Sequence, residues 1–218
     1  MPLDLATTAV LFALSLCAAL AGSEIIDALY CSEPDVLSYP ATVQKRRRLR
    51  VPLLMGGLFM YMLIILLLAQ NLPPAESCVF ITERLCMGWI LWLTVCTDFE
   101  QHVIFDRMLL PAALVVLIFD AINVVPIFVH VGAMLVGGGI FFLLAVLTGG
   151  GIGGGDIKLV ALLGLWCGKR LSPVIVCGLI LAGIAAFIFL LTKRKRRREF
   201  LAYGPYFAWS ALYIMASP

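Results

Sequence analysis

No C-x-x-C pair occurs anywhere in this chain, although it holds seven cysteines, at 17, 31, 78, 86, 96, 167 and 177. That scatter excludes the common thiolate zinc site and the thioredoxin-like redox motif. Set mostly within apolar segments, these thiols are expected to pack as small apolar side chains. Charge is scarce as well. Asp, Glu, Lys and Arg make up 13% of the residues, about half of the ~25% usual in soluble domains. The start, Met1-Pro-Leu-Asp4, has no basic run before the apolar stretch Leu5 to Ala21, so that stretch is expected as a retained helix rather than a cleaved signal. An internal repeat is also missing: the glycine-rich break near residue 150 has no counterpart in the first half. This argues against a transporter built from paired halves with matched interruptions.

What the chain has instead is apolar length. With 62% hydrophobic residues and a mean hydropathy of +1.05, it leaves no room for a sizeable water-soluble domain. A bilayer crossing takes about 20 mostly apolar residues. The pattern predicts an all-α, polytopic membrane bundle of about eight helices, at Leu5–Ile26, Pro52–Gln70, Val79–Cys96, Leu109–Val125, Phe128–Leu147, Leu159–Gly168, Pro173–Leu191 and Pro205–Ala216. The sixth is short for a crossing, which predicts a tilt or a thin local bilayer.

Two basic runs, Lys45-Arg-Arg-Arg-Leu-Arg50 and Lys193-Arg-Lys-Arg-Arg-Arg198, follow the first and seventh segments. Basic residues in short loops stay cytoplasmic. Alternating the segments puts loops 27–51, 97–108, 148–158 and 192–204 on that side, so both runs agree. The termini then face the other way. Beside membrane segments, such runs predict topology signals and lipid-headgroup contacts rather than a nucleic-acid partner.

Against this background two acids stand out. Asp156 ends the run Thr148-Gly-Gly-Gly-Ile-Gly-Gly-Gly-Asp156-Ile-Lys158, and Asp98 ends an apolar stretch in Cys96-Thr-Asp98-Phe-Glu-Gln-His102. The topology puts both at one membrane surface. An acid at membrane depth is costly, and function usually explains it. Two carboxylates a few ångströms apart do not both ionise easily. The ionised one can deprotonate a water while the protonated one polarises a carbonyl, which hydrolyses a peptide without metal or cofactor. Gly153, Gly154 and Gly155 would let backbone and substrate approach such a site. The bland alternative is two solvated loop acids that flank apolar segments.

The block Gly151-Ile-Gly-Gly-Gly-Asp156-Ile-Lys158-Leu, followed by Gly164 and Gly168, resembles the GxGD block of type IV prepilin peptidases. The stretch from Asp98 through Ile104-Phe-Asp106 to Pro111 resembles the first block of that family, with Phe105 where the family usually has Pro. Tyr203-Gly204-Pro205-Tyr206 resembles the Phe-Gly-Pro-Phe found before the family's last helix. These three blocks stand in the family's order and cover about residues 95 to 212. The resemblance implies a membrane aspartyl protease with Asp98 and Asp156 as its catalytic pair. It implies, as substrate and partner, pilin-like precursors cut after a Gly that follows a short basic leader, at the cytoplasmic face of a bacterial inner membrane. Long members carry paired C-x-x-C motifs, associated with N-methylation, in the first loop. The matching segment here, Asp27 to Arg50, holds only Cys31. The division that follows is a two-helix region, 1–78, and a six-helix peptidase region, 79–218.

Other polar residues receive quieter readings. Asp106 is expected in the loop or at the start of the fourth helix, and Lys158 either beside the acid pair or snorkelling to the surface. Glu100 and His102 are expected in solvent. Glu83 and Arg84 are expected to pair with each other, and Asp120 to hydrogen-bond beside Asn123. Gly137-Gly-Gly139 predicts close helix packing.

Overall fold

The computed structural model describes residues 5–40, 43–70, 72–192 and 202–216. The second basic run, 193–198, lies outside them. Among the described residues there are helices and connecting turns but no strand: α1 (Leu5–Ser32), α2 (Val43–Ala69), α3 (Pro74–Gln101), α4 (Asp106–Ile122), α5 (Ile127–Leu147), α6 (Gly154–Cys167), α7 (Leu171–Leu191) and α8 (Gly204–Ala216). Each matches one apolar segment of the sequence. The expected eight crossings, however, reduce to five segments long and apolar enough on their own: α1, Arg47–Ala69, Glu76–Gln101, α5, and the stretch Gly154–Leu191 that holds α6 and α7. The others are short, with 17 residues in α4 and 13 in α8.

The first three helices run past their apolar cores. α1 continues to Ser32 and α2 already starts at Val43, so most of the expected loop 27–51 is helical. Likewise α3 continues to Gln101, which puts Asp98 on a helix rather than in a loop. The reason is pairing: the charges that ended the apolar runs meet partners on neighbouring helices and need not go to solvent.

The bundle is apolar outside and partly polar within. Leu53, Leu110, Phe128, Phe142, Leu147 and Phe187 are exposed, whereas Arg50, Thr94, Thr97, Glu100 and Gln101 are buried. Against lipid this arrangement carries no hydrophobic penalty, and the interior hydrogen bonds hold the helices together. α6 lies at the centre, with Leu159, Val160, Leu163 and Trp166 almost fully buried. It packs on α4, α5 and α8. α3 is buried on two sides. Met87, Leu91 and Val95 join the α6–α8 core, while Leu93 and Cys96 face the α1–α2 hairpin through Ala19, Ile26, Leu29 and Leu54. Phe105 is 1% exposed within this second cluster. Its ring packs near that of Tyr30, with centroids 6.0 Å apart. Burial thus anchors the α3–α4 turn.

Of the triplet Gly137-Gly-Gly139, two pack closely as expected: a Cβ on Gly137 would lie 2.6 Å from Leu171 Cδ2 of α7 and one on Gly138 3.0 Å from Ala161 Cβ of α6, while Gly139 faces open space. From the other side, a Cβ on Gly164 would lie 2.6 Å from the Ala133 carbonyl oxygen and 2.7 Å from Met134 N. Those are backbone atoms of α5 and cannot swing away. Gly164→Ala is therefore expected to destabilise the fold by about 1–3 kcal/mol, as overpacking does. Thermal unfolding of the purified protein in mild detergent would show it.

At the end of the bundle remote from Asp98, Glu83 accepts from Arg84 Nη1 (2.7 Å) and from Trp166 Nε1 (2.8 Å), and Arg84 Nε donates to Met215 O at 2.6 Å. The expected Glu83–Arg84 pair is present and is tied into the core. Asp120 pairs with His130, Oδ2 to Nδ1 at 2.9 Å, so its partner among the described residues is across the α4–α5 turn and not the expected Asn123. The turn between Ile122 and Ile127 brings the two residues together.

Candidate active site

Three helix ends build the site. α3 contributes Asp98, on its last turn before His102 closes the helix in a left-handed conformation (φ 54°). α6 contributes Asp156. The chain reaches α6 through a sharp reversal after α5, where Gly149 and Gly150 take φ of +62° and +91°. Glycine adopts these values without the Cβ clash other residues suffer. The Gly150 N–H donates back to Ala145 O at 2.9 Å, and Gly151 N–H donates to Thr148 Oγ1 at 3.2 Å. α6 then begins with Gly153 as its N-cap and Asp156 in the first turn. The Asp156 carboxylate accepts from the Gly153 backbone N–H. This is the reciprocal arm of a capping box, placed where the helix dipole favours negative charge.

α8 contributes Gly204. Its backbone lies beside both carboxylates. Asp98 is 5% exposed, and its Oδ2 is buried without a hydrogen-bond partner among the described residues. A Cβ on Gly204 would stand 2.6 Å from that oxygen. The two acids named from the sequence are therefore close neighbours.

The remaining predicted residues divide. Gly153 borders the Asp156 carboxylate, and a Cβ there would be 3.4 Å from Oδ2. Gly155 packs on Ile104 (3.0 Å), in the connection after α3, while Gly154 faces open space. Asp106 opens α4 and binds Lys158 of α6, with Nζ to carboxylate distances of 2.8 and 2.7 Å. Both side chains are more than half exposed, so the pair links α4 to α6 at the rim. Exposed pairs are worth about 0–1 kcal/mol. Lys158→Ala is thus expected to leave the unfolding temperature within about 2–4 °C of the parent, read by thermal unfolding in detergent.

Sequence reasoning missed two things. Gly204 was visible only as part of a resemblance, because a residue that meets the acids through its backbone has no side-chain chemistry to flag it. Glu100 was misplaced. It is 7% exposed, not solvated, and Arg50 grips it from α2, Nε to Oε1 at 2.8 Å and Nη2 to Oε2 at 2.6 Å. Tyr30 donates to Oε2 at 3.1 Å. His102 meets the Tyr39 ring at 5.6 Å between centroids. The burial of Glu100 follows from its guanidinium partner, which lies 50 residues away in sequence and cannot be read locally.

Residues 85–191 match the type IV leader peptidase family, a range that includes Asp98 and Asp156. A prepilin leader peptidase/N-methyltransferase of Xanthomonas campestris pv. campestris is 38% identical over 71 residues, covering 32% of this chain and 25% of the relative. The Aeromonas salmonicida protein of that name is 29% identical over 163 residues, covering 69% of this chain and 54% of the relative. The one from Escherichia coli K12 is 28% identical over 130 residues, covering 57% of each. The chain thus spans about half the length of the longer-matching relatives. No solved structure matches it. The family match, the related proteins and the three ordered sequence blocks together identify residues 85–191 of this chain as a type IV leader peptidase domain.

Proposed function

We propose that this chain is a membrane-embedded aspartyl endopeptidase that removes the basic leader, after Gly, from type IV pilin-like precursors. The observation that carries the reading is the meeting of Asp98 and Asp156 at one helix-end cluster, beside the backbone of Gly204.

In this mechanism the ionised carboxylate takes a proton from a water molecule, and the oxygen attacks the scissile carbonyl carbon. The protonated carboxyl donates to the carbonyl oxygen, giving a neutral gem-diol. Collapse returns a proton to the leaving nitrogen and restores the shared proton between the acids. The Gly204 N–H stabilises the charge as it moves between the carboxylates. Gly153, Gly154 and Gly155 leave the mouth of the site free of side chains, so an extended substrate backbone can approach. Asp106 and Lys158 shape the rim.

The site faces the cytoplasm in this reading, in a bacterial inner membrane. Arg47, Arg48 and Arg50 begin α2 beside the Asp98 end of α3, as the Arg50–Glu100 contact requires, and basic residues beside membrane segments stay cytoplasmic. Lipid headgroups are natural contacts for the exposed Arg47. The peptidase region is 79–218, and 1–78 supports it. We assign only cleavage to this chain, because segment 27–50 has a single cysteine and no C-x-x-C pair.

The test is co-expression with a panel of precursors that carry a basic leader, a Gly before the cut and an apolar helix after it. A product shortened by the leader, with its new N-terminus directly after Gly, is expected. Full-length precursors throughout the panel, with the chain present in the membrane, would overturn the reading.

A further inference from the structure

The C-terminal turn of α3 is held from behind by buried charge. Beyond the two Arg50–Glu100 contacts, Arg50 Nη1 donates to Asp27 Oδ1 at 2.7 Å and to Ser23 O at 3.3 Å, both on α1. Arg50 is 1% exposed. The adjacent Gln101, fully buried, closes a second link: its Oε1 accepts from Tyr39 N–H at 2.8 Å, and its Nε2 donates to Tyr39 O at 3.2 Å. Five hydrogen bonds from α1, α2 and their connection thus converge on Glu100 and Gln101. Asp98 is two residues earlier on the same turn, about 200° around the helix, and it faces α6 and α8.

We propose that Arg50 and Glu100 are positioning residues for the carboxylate of Asp98: the N-terminal hairpin holds the back of the helix turn whose front carries the acid. The inference rests on the peptidase reading for its kinetic readout only. The physical case is that a buried ion pair is a poor stabiliser but a strong geometric constraint. Replacing such a pair by apolar residues of similar size is often neutral for stability, whereas removing one partner strands a charge. The bidentate fork cannot be reproduced by lysine, a point charge on a flexible stem. A reacting group misplaced by about 1 Å can lose about 100-fold in rate. Side chains of α2, with no direct part in the chemistry, would then set the catalytic rate.

Three variants separate position from stability: Arg50→Lys, Glu100→Gln and the apolar double replacement Arg50→Met with Glu100→Leu. Purified proteins in liposomes would be assayed for cleavage and for thermal unfolding. The expected result is a kcat about 10–100-fold lower in all three, a KM within about twofold, and an unfolding temperature restored to the parent value in the double variant. Recovery of kcat together with the unfolding temperature in the double variant would reduce the cluster to a fold-stabilising pair and overturn the proposal.

A readout independent of cleavage is the infrared carbonyl band of the protonated Asp98 carboxyl, identified by its loss in Asp98→Asn and recorded as pH is lowered. Arg50→Lys is expected to shift or broaden it. An unmoved band overturns the positioning role even if no precursor is ever cleaved. A shifted band in a chain that cleaves nothing would overturn the peptidase reading and leave the clamp intact.

Discussion

Replacing either Asp98 or Asp156 by Asn is expected to abolish precursor processing while the protein still accumulates in the membrane. The amide keeps the shape of the carboxyl but neither shares nor accepts the proton that the reaction moves. Acid–base groups contribute about 10²–10⁴-fold each, and here each acid has a turn as donor and as acceptor, so processing should fall to background in both variants. Stability should move the other way or not at all. Asp98 is 5% exposed with an unpartnered Oδ2, and a buried charge without full compensation costs the folded state. Asn at that position should therefore give an unfolding temperature equal to or above the parent. Immunoblots of precursor size alongside unfolding in detergent would report both. Processing that survives either change would remove the dyad as assigned.

The second large effect is expected from Gly204→Ala. The new methyl would stand 2.6 Å from Asp98 Oδ2, closer than real Cβ atoms approach, and 3.1 Å from Ile104 Cδ1, a tight contact. The nearest atom is the end of a movable side chain, so the fold gives way by turning the Asp98 carboxylate. The predicted signature is a loss of about 100-fold in kcat, with the unfolding temperature nearly unchanged. This contrasts with Gly164→Ala, where the opposing atoms are helix backbone and stability takes the loss. One methyl added at each of two glycines should thus separate chemistry from folding. An active Gly204→Ala variant would show that the amide and the carboxylates do not have to keep their close approach.

Much of the site was legible in the chain because it consists of exceptions. Acids at the margins of apolar stretches and a glycine run before Asp156 cannot be explained by packing against lipid, and the order of three blocks did the rest. What escaped has a common physical origin. Glu100 and Asp120 were placed by their local surroundings, yet Arg50 and His130 decide their environments, one across the bundle and the other across a turn. The helix ends were also misjudged, because an apolar window closes at the first charge while a helix continues wherever that charge finds a partner. Gly204 was hard to single out for a different reason: what it sets beside the acids is backbone, which every residue carries.

The shortness of α6 and α8 bears on the water that can reach them. Fourteen residues rise only about 21 Å, against a hydrocarbon layer of about 30 Å, and α8 is a residue shorter still. Both are buried among longer helices, so the depth that α6 leaves unfilled at its Asp156 end is walled by protein and not by lipid. Irregular backbone such as the glycine run before α6 is tolerated at membrane depth where protein or a watery cavity lines it. In the proposed peptidase that gap is the route of the attacking water, and the length of a helix becomes a variable of the enzyme, as much as any residue in it.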